Sequence, residues 1–335
     1  MAKGKNVTPM TVVDFFEQFS DEEAARAFLE RQRWGVFLID EQRWVTVPRC
    51  TNCGSDRTHP WNTRRKKGYY KCNICRNQFC VKTKSVFAGT HYKLHKWLWV
   101  WYFLIIHRKG MSSAAFQSYL ESSQPAAWRL LTHVRKAMGM HKKGLVLKGK
   151  VEIDEGFFGG TEGPKHADKK LSKNWMAGKQ VVLGLRERGG YVITMPVPDN
   201  EPATLQNAIK QLVARGSTAY TDGHPSYRGL PALGYPHDWV YHNRGQYVKG
   251  DVTTNGIESV WAVQKRSQYG IYHKITPEYR ALYQNEFDFR LNAGSLKNST
   301  MKALESLAAN CWYPCQQTFV GIPVKEKDFK RWGIT

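Results

Sequence analysis

Lys150-Val-Glu-Ile-Asp154 is the stretch that decides how this chain is read. Apolar and polar residues alternate through it, the pattern of a strand with one buried face, and it ends on an acid. Two other stretches answer it. Ser217-Thr-Ala-Tyr-Thr-Asp222 reads as a short strand that also ends on an acid. Asn255-Gly-Ile-Glu-Ser-Val-Trp-Ala-Val-Gln-Lys265 has helical spacing, with Glu258 in its first turn. Two strand-borne aspartates and a helix-borne glutamate can converge on a pair of divalent metals, the arrangement that serves in-line phosphoryl displacement.

The surroundings of the acids support that convergence. Strands are expected over 145–154, 180–186 and 191–197, a helix over 201–214, strands over 218–222 and 238–242, and a helix over 255–268. Three successive strands, then helix, strand and helix, match the α/β ribonuclease H-like arrangement, which places a catalytic domain at 145–294. Each acid alone has a plain reading: a solvated turn at Asp154-Glu155, a turn at Asp222-Gly223, a helix-dipole partner at Glu258. Together, three carboxylates repel one another, and two Mg²⁺ ions would relieve that. Lys265 follows Glu258 by seven residues, two helical turns, so both face the same way and the lysine can hold a phosphate beside the acids. Lys165, Lys169 and Lys170 follow the first acid and, with Lys265 and Arg266, are candidates to line a nucleic acid; a solvated loop is the plain reading of that first run.

Composition points to the same substrate class. The 335 residues suffice for several domains, and 41% hydrophobic content is that of a globular protein. The formal net charge of +22 implies a polyanionic partner, first of all nucleic acid. The longest apolar run, Trp97 to Ile106, is ten residues, too short to cross a bilayer. Met1-Ala-Lys-Gly-Lys5 lacks the apolar core of a secretory signal, so a cytoplasmic, nucleoid-associated protein is expected.

The first half divides into three segments and the chain closes with a fourth. Residues 1–45 read as an N-terminal helical segment, with Phe15, Phe16, Phe19 and Phe28 at helical spacing and Ser20-Asp21-Glu22-Glu23 as a helix start. Residues 46–90 carry Cys50-x2-Cys53 and Cys72-x2-Cys75, spacing that in a reducing compartment favours one structural Zn²⁺ in a zinc ribbon over disulfides. Cys80, Cys311 and Cys315 have no second pair and read as packed thiols. Asn62 to Lys84 holds eight Lys/Arg and no acid, Lys66 among them. Residues 91–144 suggest three helices, the last two joined by Glu121-Ser-Ser-Gln124 as in a helix-turn-helix, with Arg129, His133 and Lys136 on one face of the third helix as DNA contacts. An ordinary helical hairpin is the plain alternative. Residues 295–335 form a tail with no readable pattern.

With these residues in view, the chain resembles the bacterial insertion-sequence DDE transposases of the ISXO type over residues 8 to 293. The matching stretches are Asp21-Glu-Glu-Ala-Ala-Arg-Ala-Phe-Leu-Glu30, the cysteine quartet, Asp154-Glu-Gly-Phe-Phe-Gly-Gly160, Lys165-His-Ala-Asp-Lys-Lys170, Tyr220-Thr-Asp-Gly223, Asn255-Gly-Ile-Glu-Ser-Val-Trp261, Lys265-Arg266, Gly270-Ile-Tyr-His273 and Glu286-Phe-Asp-Phe-Arg-Leu-Asn292. The resemblance implies a zinc ribbon, a ribonuclease H-like domain, and Asp154, Asp222 and Glu258 as acids for two Mg²⁺ (or Mn²⁺) with Lys265 as helix cation. It implies binding to double-stranded transposon ends and target, phosphodiester hydrolysis, strand transfer, and a homodimer or larger assembly on DNA. Thr253 stands where relatives often have His, and Asn255 is an alternative third ligand. A nuclease of the same fold without strand transfer, or a catalytically silent zinc-ribbon regulator, would share most of these residues.

Overall fold

The computed structural model describes residues 10–35, 37–40, 43–64, 67–159, 178–295 and 300–312. They fall into two compact units, one from Met1–Ile106, Phe116–His141 and Asn298–Thr335, the other from His107–Ala115 and Lys142–Lys297. No helix among the described residues is long and apolar enough to cross a membrane.

The first unit opens with two helices, α1 (Val12–Gln18) and α2 (Glu22–Trp34). The helical spacing expected in the N-terminal segment is therefore interrupted once. Asp21 explains the break: its carboxylate accepts from the Glu23 and Ala24 amides and starts a new helix. A hairpin follows, β1 (Phe37–Asp40) with β2 (Arg43–Val45), then the antiparallel sheet β3 (Thr58–Pro60), β4 (Tyr69–Cys72), β5 (Gln78–Cys80). Helices α3 (Leu94–Ile106), α4 (Ser113–Leu120) and α5 (Gln124–Met140) come next, close to the three expected. The featureless tail contains a helix, α9 (Thr300–Ala309), whose Ala303, Leu304, Leu307 and Ala308 are buried. It packs against α2 and α3, and Phe87 lies 5.8 Å from the Trp312 ring. This unit's core is largely aromatic: Phe15 stacks on Tyr102 at 4.2 Å, and Trp97 and Trp101 are fully buried.

The second unit is a five-stranded sheet in the order β10-β9-β6-β7-β8. β6 (Lys150–Phe158), β7 (Gln180–Glu187) and β8 (Val192–Val197) form an antiparallel meander; β9 (Thr218–Asp222) and β10 (His237–Val240) run parallel to β6. This is the strand order of the ribonuclease H arrangement. The parallel step from β8 to β9 needs a crossover, supplied by α6 (Pro202–Leu212). One sheet face packs Val151, Ile153, Leu183, Leu185 and Ile193 against Leu205 and Ile209 of α6. The other packs Val182 and Val192 against Ile257, Val260 and Trp261 of α7 (Asn255–Ser267). The alternation seen in the sequence is thus a sheet buried on both sides. One expectation is corrected: Asp154 does not end its strand. Glu155–Phe158 continue the ladder opposite Gln180–Leu183, so the acid sits mid-strand.

The edge strand β8 would leave every second backbone group unpaired. Helix α8 (Pro277–Ser295) satisfies them with side chains. Asn292 accepts from the Val192 amide (2.8 Å) and donates to its carbonyl (2.9 Å). Asp288 accepts from the Thr194 amide (2.8 Å) and hydroxyl (2.6 Å), and Lys142 pairs with the same carboxylate.

Helix α7 lies close on the sheet because two glycines leave room. A Cβ on Gly184 would overlap the Trp261 ring, and one on Gly156 would come within 2.9 Å of it. Gly184→Ala should therefore push α7 outward and cost roughly 1–3 kcal/mol of stability. Thermal denaturation should show a Tm several degrees lower; an unchanged Tm would mean that the indole is not seated there.

Candidate active site and cysteine cluster

Strand register brings the two aspartates together. β6 and β9 pair Lys150 with Thr218, Val151 with Ala219 and Glu152 with Tyr220, a constant offset of 218 − 150 = 68. Asp154 and Asp222 have the same offset, 222 − 154 = 68, so the register carried two residues past the last pair sets them opposite one another on neighbouring strands, near enough for the Asp222 charge to act on Asp154.

Two pins hold α7 over that point. Glu152, two residues before Asp154 and so on the same face, is 4% exposed; it accepts from the Ile257 amide at 3.0 Å and pairs with Arg188 at 2.9 Å. A carboxylate on a helix N-terminal amide satisfies an orphan donor and the helix dipole together. One turn on, the Trp261 indole N–H donates to Asp154 Oδ2 at 2.8 Å. Glu258 lies between these pins. Its Oε1 accepts from the Thr254 hydroxyl at 3.0 Å and is 3.3 Å from His242 Nδ1. Asp222 Oδ1 accepts from the His224 amide at 3.0 Å.

The acids feel one another. Burial pushes Asp154 up to about 7, with the charges of Asp222 and Glu258 adding and the Trp261 hydrogen bond opposing. Burial likewise pushes Glu155 up to about 8, with the charges of Asp154 and Asp222 adding. Glu155 points to the opposite sheet face, where its Oε1 and the Tyr227 hydroxyl are enclosed near one another without closing a hydrogen bond. Among the described residues no lysine or arginine forms an ion pair with Asp154, Asp222 or Glu258. Oxygen-only donors suit a hard divalent cation. The three acids are gathered rather than caged: among the described residues, the group whose ligand atoms all lie within 4.8 Å is the cysteine quartet.

The other expected site residues are placed variously. Lys265 and Arg266 are exposed in the last turn of α7, and Asn255 is exposed at its start. Lys66, Lys165, Lys169 and Lys170 lie outside the described residues. On α5, Arg129 is exposed, whereas His133 and Lys136 are half-buried. The His133 ring packs on Trp97 at 6.2 Å, and burial pushes its pKa down to about 4. Only Arg129 of the three stands open. Sequence reading missed Glu152 and Trp261, although the i, i+2 spacing to Asp154 and the i+3 spacing to Glu258 were signals. It also missed His242, which no local pattern marks. The position at 253 lacks a histidine, yet the fold brings one to Glu258 from β10's far end.

Cys50, Cys53, Cys72 and Cys75 come from two matching turns. In each, the first cysteine's amide donates five residues on (Cys50 to Ser55, 2.8 Å; Cys72 to Asn77, 3.0 Å) and its carbonyl accepts from four residues on (Gly54, 2.9 Å; Arg76, 3.1 Å). In each, the third residue's amide points at the first sulfur (3.4 Å from Asn52 and from Ile74). Gly54 and Arg76 both take the left-handed conformation that closes the turn, φ +74° and +61°. Sulfur separations of 3.5 Å (Cys50–Cys75) and 3.6 Å (Cys53–Cys72) fit the edges of a tetrahedron with metal–sulfur bonds of about 2.3 Å. The quartet could hold a zinc ion.

Fold and site together define an α/β domain that carries its acids on the central strands and on the helix covering them. Residues 146–292 match the family described as the ISXO2-like transposase domain. A transposase-like protein of Haemophilus influenzae is 30% identical over 107 residues, 85% of its length and 32% of this chain. A protein of transposable element ISH50 from Halobacterium salinarum is 24% identical over 274 residues, 92% of its length and 77% of this chain. The chain belongs to the ISXO2-like transposase family, a DDE-type family of insertion sequences that uses divalent metal. A solved structure, the Mos1 strand transfer complex, aligns over 61% of this chain and 75% of its own at 13% identity and a TM-score of 0.25; the fold rests on the strand order, not on that likeness.

Acids held above their ordinary values keep protons in the native state that the unfolded chain has lost. Between about pH 4 and about pH 8 these two acids bind more protons in the metal-free native protein than in the unfolded one, so their contribution to stability falls as pH rises through that window. Buried histidines such as His133, whose pKa is lowered, oppose this below about pH 6.5, and the acids act alone above it. Melting of metal-free protein should show a Tm that declines toward pH 8, and Mg²⁺ or Mn²⁺ should raise Tm more at pH 8 than at pH 5. A metal effect independent of pH would contradict the shared cause.

Proposed function

We propose that this chain binds the terminal inverted repeats of an insertion sequence, hydrolyses a phosphodiester bond at each end, and joins the freed 3′-hydroxyl to target DNA. The β6–β9 register carries this reading, because it puts Asp154 beside Asp222 under the helix that bears Glu258. Asp154, Asp222 and Glu258 would hold two Mg²⁺ ions. When bound, the pair activates the attacking oxygen and steadies the leaving one. The chain's own groups do the rest. Trp261 fixes the Asp154 carboxylate, Thr254 and His242 fix Glu258, and Lys265 holds a flanking phosphate. In hydrolysis a water oxygen bonds to phosphorus as the 3′-oxygen leaves and takes up a proton; in joining, that 3′-hydroxyl loses its proton as its oxygen bonds to a target phosphorus, and the target strand's own 3′-oxygen leaves and takes up a proton. No covalent enzyme intermediate is needed. Two ends must be cut and joined together, so the working form is a homodimer or larger.

DNA recognition would fall to the basic ribbon segment and to Arg129 on α5, with one Zn²⁺ on the four cysteines. Metal analysis of purified protein should find about one zinc per chain, and Cys72→Ser should unfold the ribbon and weaken DNA binding while the second unit stays folded. With Lys/Arg exceeding Asp/Glu by 50 − 28 = 22, log affinity should fall with log salt at a slope of about −0.9 per phosphate contact.

Chemistry is tested on a labelled transposon-end duplex with Mg²⁺. Asp154→Asn, Asp222→Asn and Glu258→Gln should each lower cutting and joining by orders of magnitude with DNA binding intact; Lys265→Ala should do less. Full activity of Glu258→Gln with loss in Asn255→Ala would make Asn255 the third ligand. Full activity of Asp154→Asn would sink the mechanism, and products cut but never joined would leave a nuclease.

A further inference from the structure

The loop after β10 carries an aromatic that folding does not explain. Tyr247 is 55% exposed, and the next residue, Val248, is also 55% exposed. This loop is not loose. Arg244 and Gln246 both donate their amides to the Tyr241 carbonyl at 3.0 Å, Gly245 donates to His242 at 3.0 Å in a left-handed turn (φ +70°), and Lys249 and Val252 bridge its end. One face of Tyr247 lies on the His242 ring, centroids 5.2 Å apart and planes 31° apart. His242 in turn touches Glu258 at 3.3 Å. Arg244, exposed and stacked over Tyr241 at 4.9 Å, stands in the same turn. A ring fixed from behind by a hydrogen-bonded loop, open in front, two contacts from an active-site acid and beside an arginine has the form of a stacking platform.

We propose that Tyr247, backed by His242, stacks an unpaired nucleobase adjoining the phosphate held at Asp154, Asp222 and Glu258. The proposal rests on the DNA reading above. Breaking a strand deprives the nucleotides at the break of their neighbours. An aromatic face accepts any of the four bases, and Arg244 meets the adjoining backbone. The open face commits to a base rather than to a second copy of this chain because the turn is cationic and the chain's net charge is +22.

The test uses the full-length protein in Ca²⁺, which should let strands bind with little cutting. Anisotropy competition compares a short thymidine strand with an abasic strand of equal length, and with blunt duplex. Wild type should prefer the base-bearing strand by about tenfold. Tyr247→Phe should keep the preference. Tyr247→Leu keeps apolar bulk but no π-face, and should lose it, with duplex binding and Tm unchanged. A preference retained in Tyr247→Leu overturns the proposal. So does equal binding of both strands by wild type; if Tyr247→Leu then also sediments as a smaller species, the face docks a second copy instead. End cutting in Mg²⁺ is scored on the same preparations: cutting without base preference keeps the function and removes this site, whereas base preference without cutting keeps the site and removes the function.

Discussion

Everything at the acid cluster depends on how α7 is fastened to β6. Two hydrogen bonds and one ring do it: Glu152 on the Ile257 amide, Trp261 on Asp154, and the indole laid where Gly156 and Gly184 present no side chain. A carboxylate as buried as Glu152 is costly without partners. It has two, the helix N-terminus and Arg188, so the same group that would weaken a bare core orients the helix. The pins sit one turn apart and fix both the position of α7 and its rotation. Glu258 faces the aspartates because Ile257 and Trp261 cannot turn away.

The same economy of polar groups appears at the sheet's edge. Asp288 and Asn292, one turn apart on α8, take the backbone groups of Thr194 and Val192 that a further strand would have taken. Gln284 adds a bond to the Thr194 hydroxyl, which Gln264 of α7 also approaches. Both helices on this face are thus tied to one residue of β8. Of the buried polar residues in 286–292, Asp288 and Asn292 act as edge-strand partners, whereas Glu286 and Arg290 pair with each other and Glu286 accepts from the Tyr272 hydroxyl.

The acids are an island of negative charge in a basic chain. Proximity that makes them useful also makes them unstable alone: burial and mutual repulsion hold Asp154 near neutrality. A divalent cation bound there, as proposed above, would remove that tension and stabilise the native state. On the function proposed above, the chain's excess of lysine and arginine would draw a polyanion toward that cation.

Much of this was legible in residues alone. The cysteine spacing located a four-sulfur cluster, since a turn of fixed length brings C-x2-C sulfurs together whatever surrounds it. The three acids were legible because each ends or opens a periodic run, and the strand and helix order of the second unit followed from the same periodicities. Tertiary structure decided the rest. That Asp154 lies mid-strand depends on its β7 partner, which lies beyond a long intervening segment. Helix α9 was invisible because its short apolar stripe gains meaning only against α2 and α3. The inward turn of His133 follows from Trp97, on another helix. His242 reaches Glu258 only because β10 lies beside β9 and its following loop folds back, a contact between residues sixteen apart that no local pattern encodes. Local spacing determines which residues can share a face; only the packed sheet and helices decide which of those faces meet.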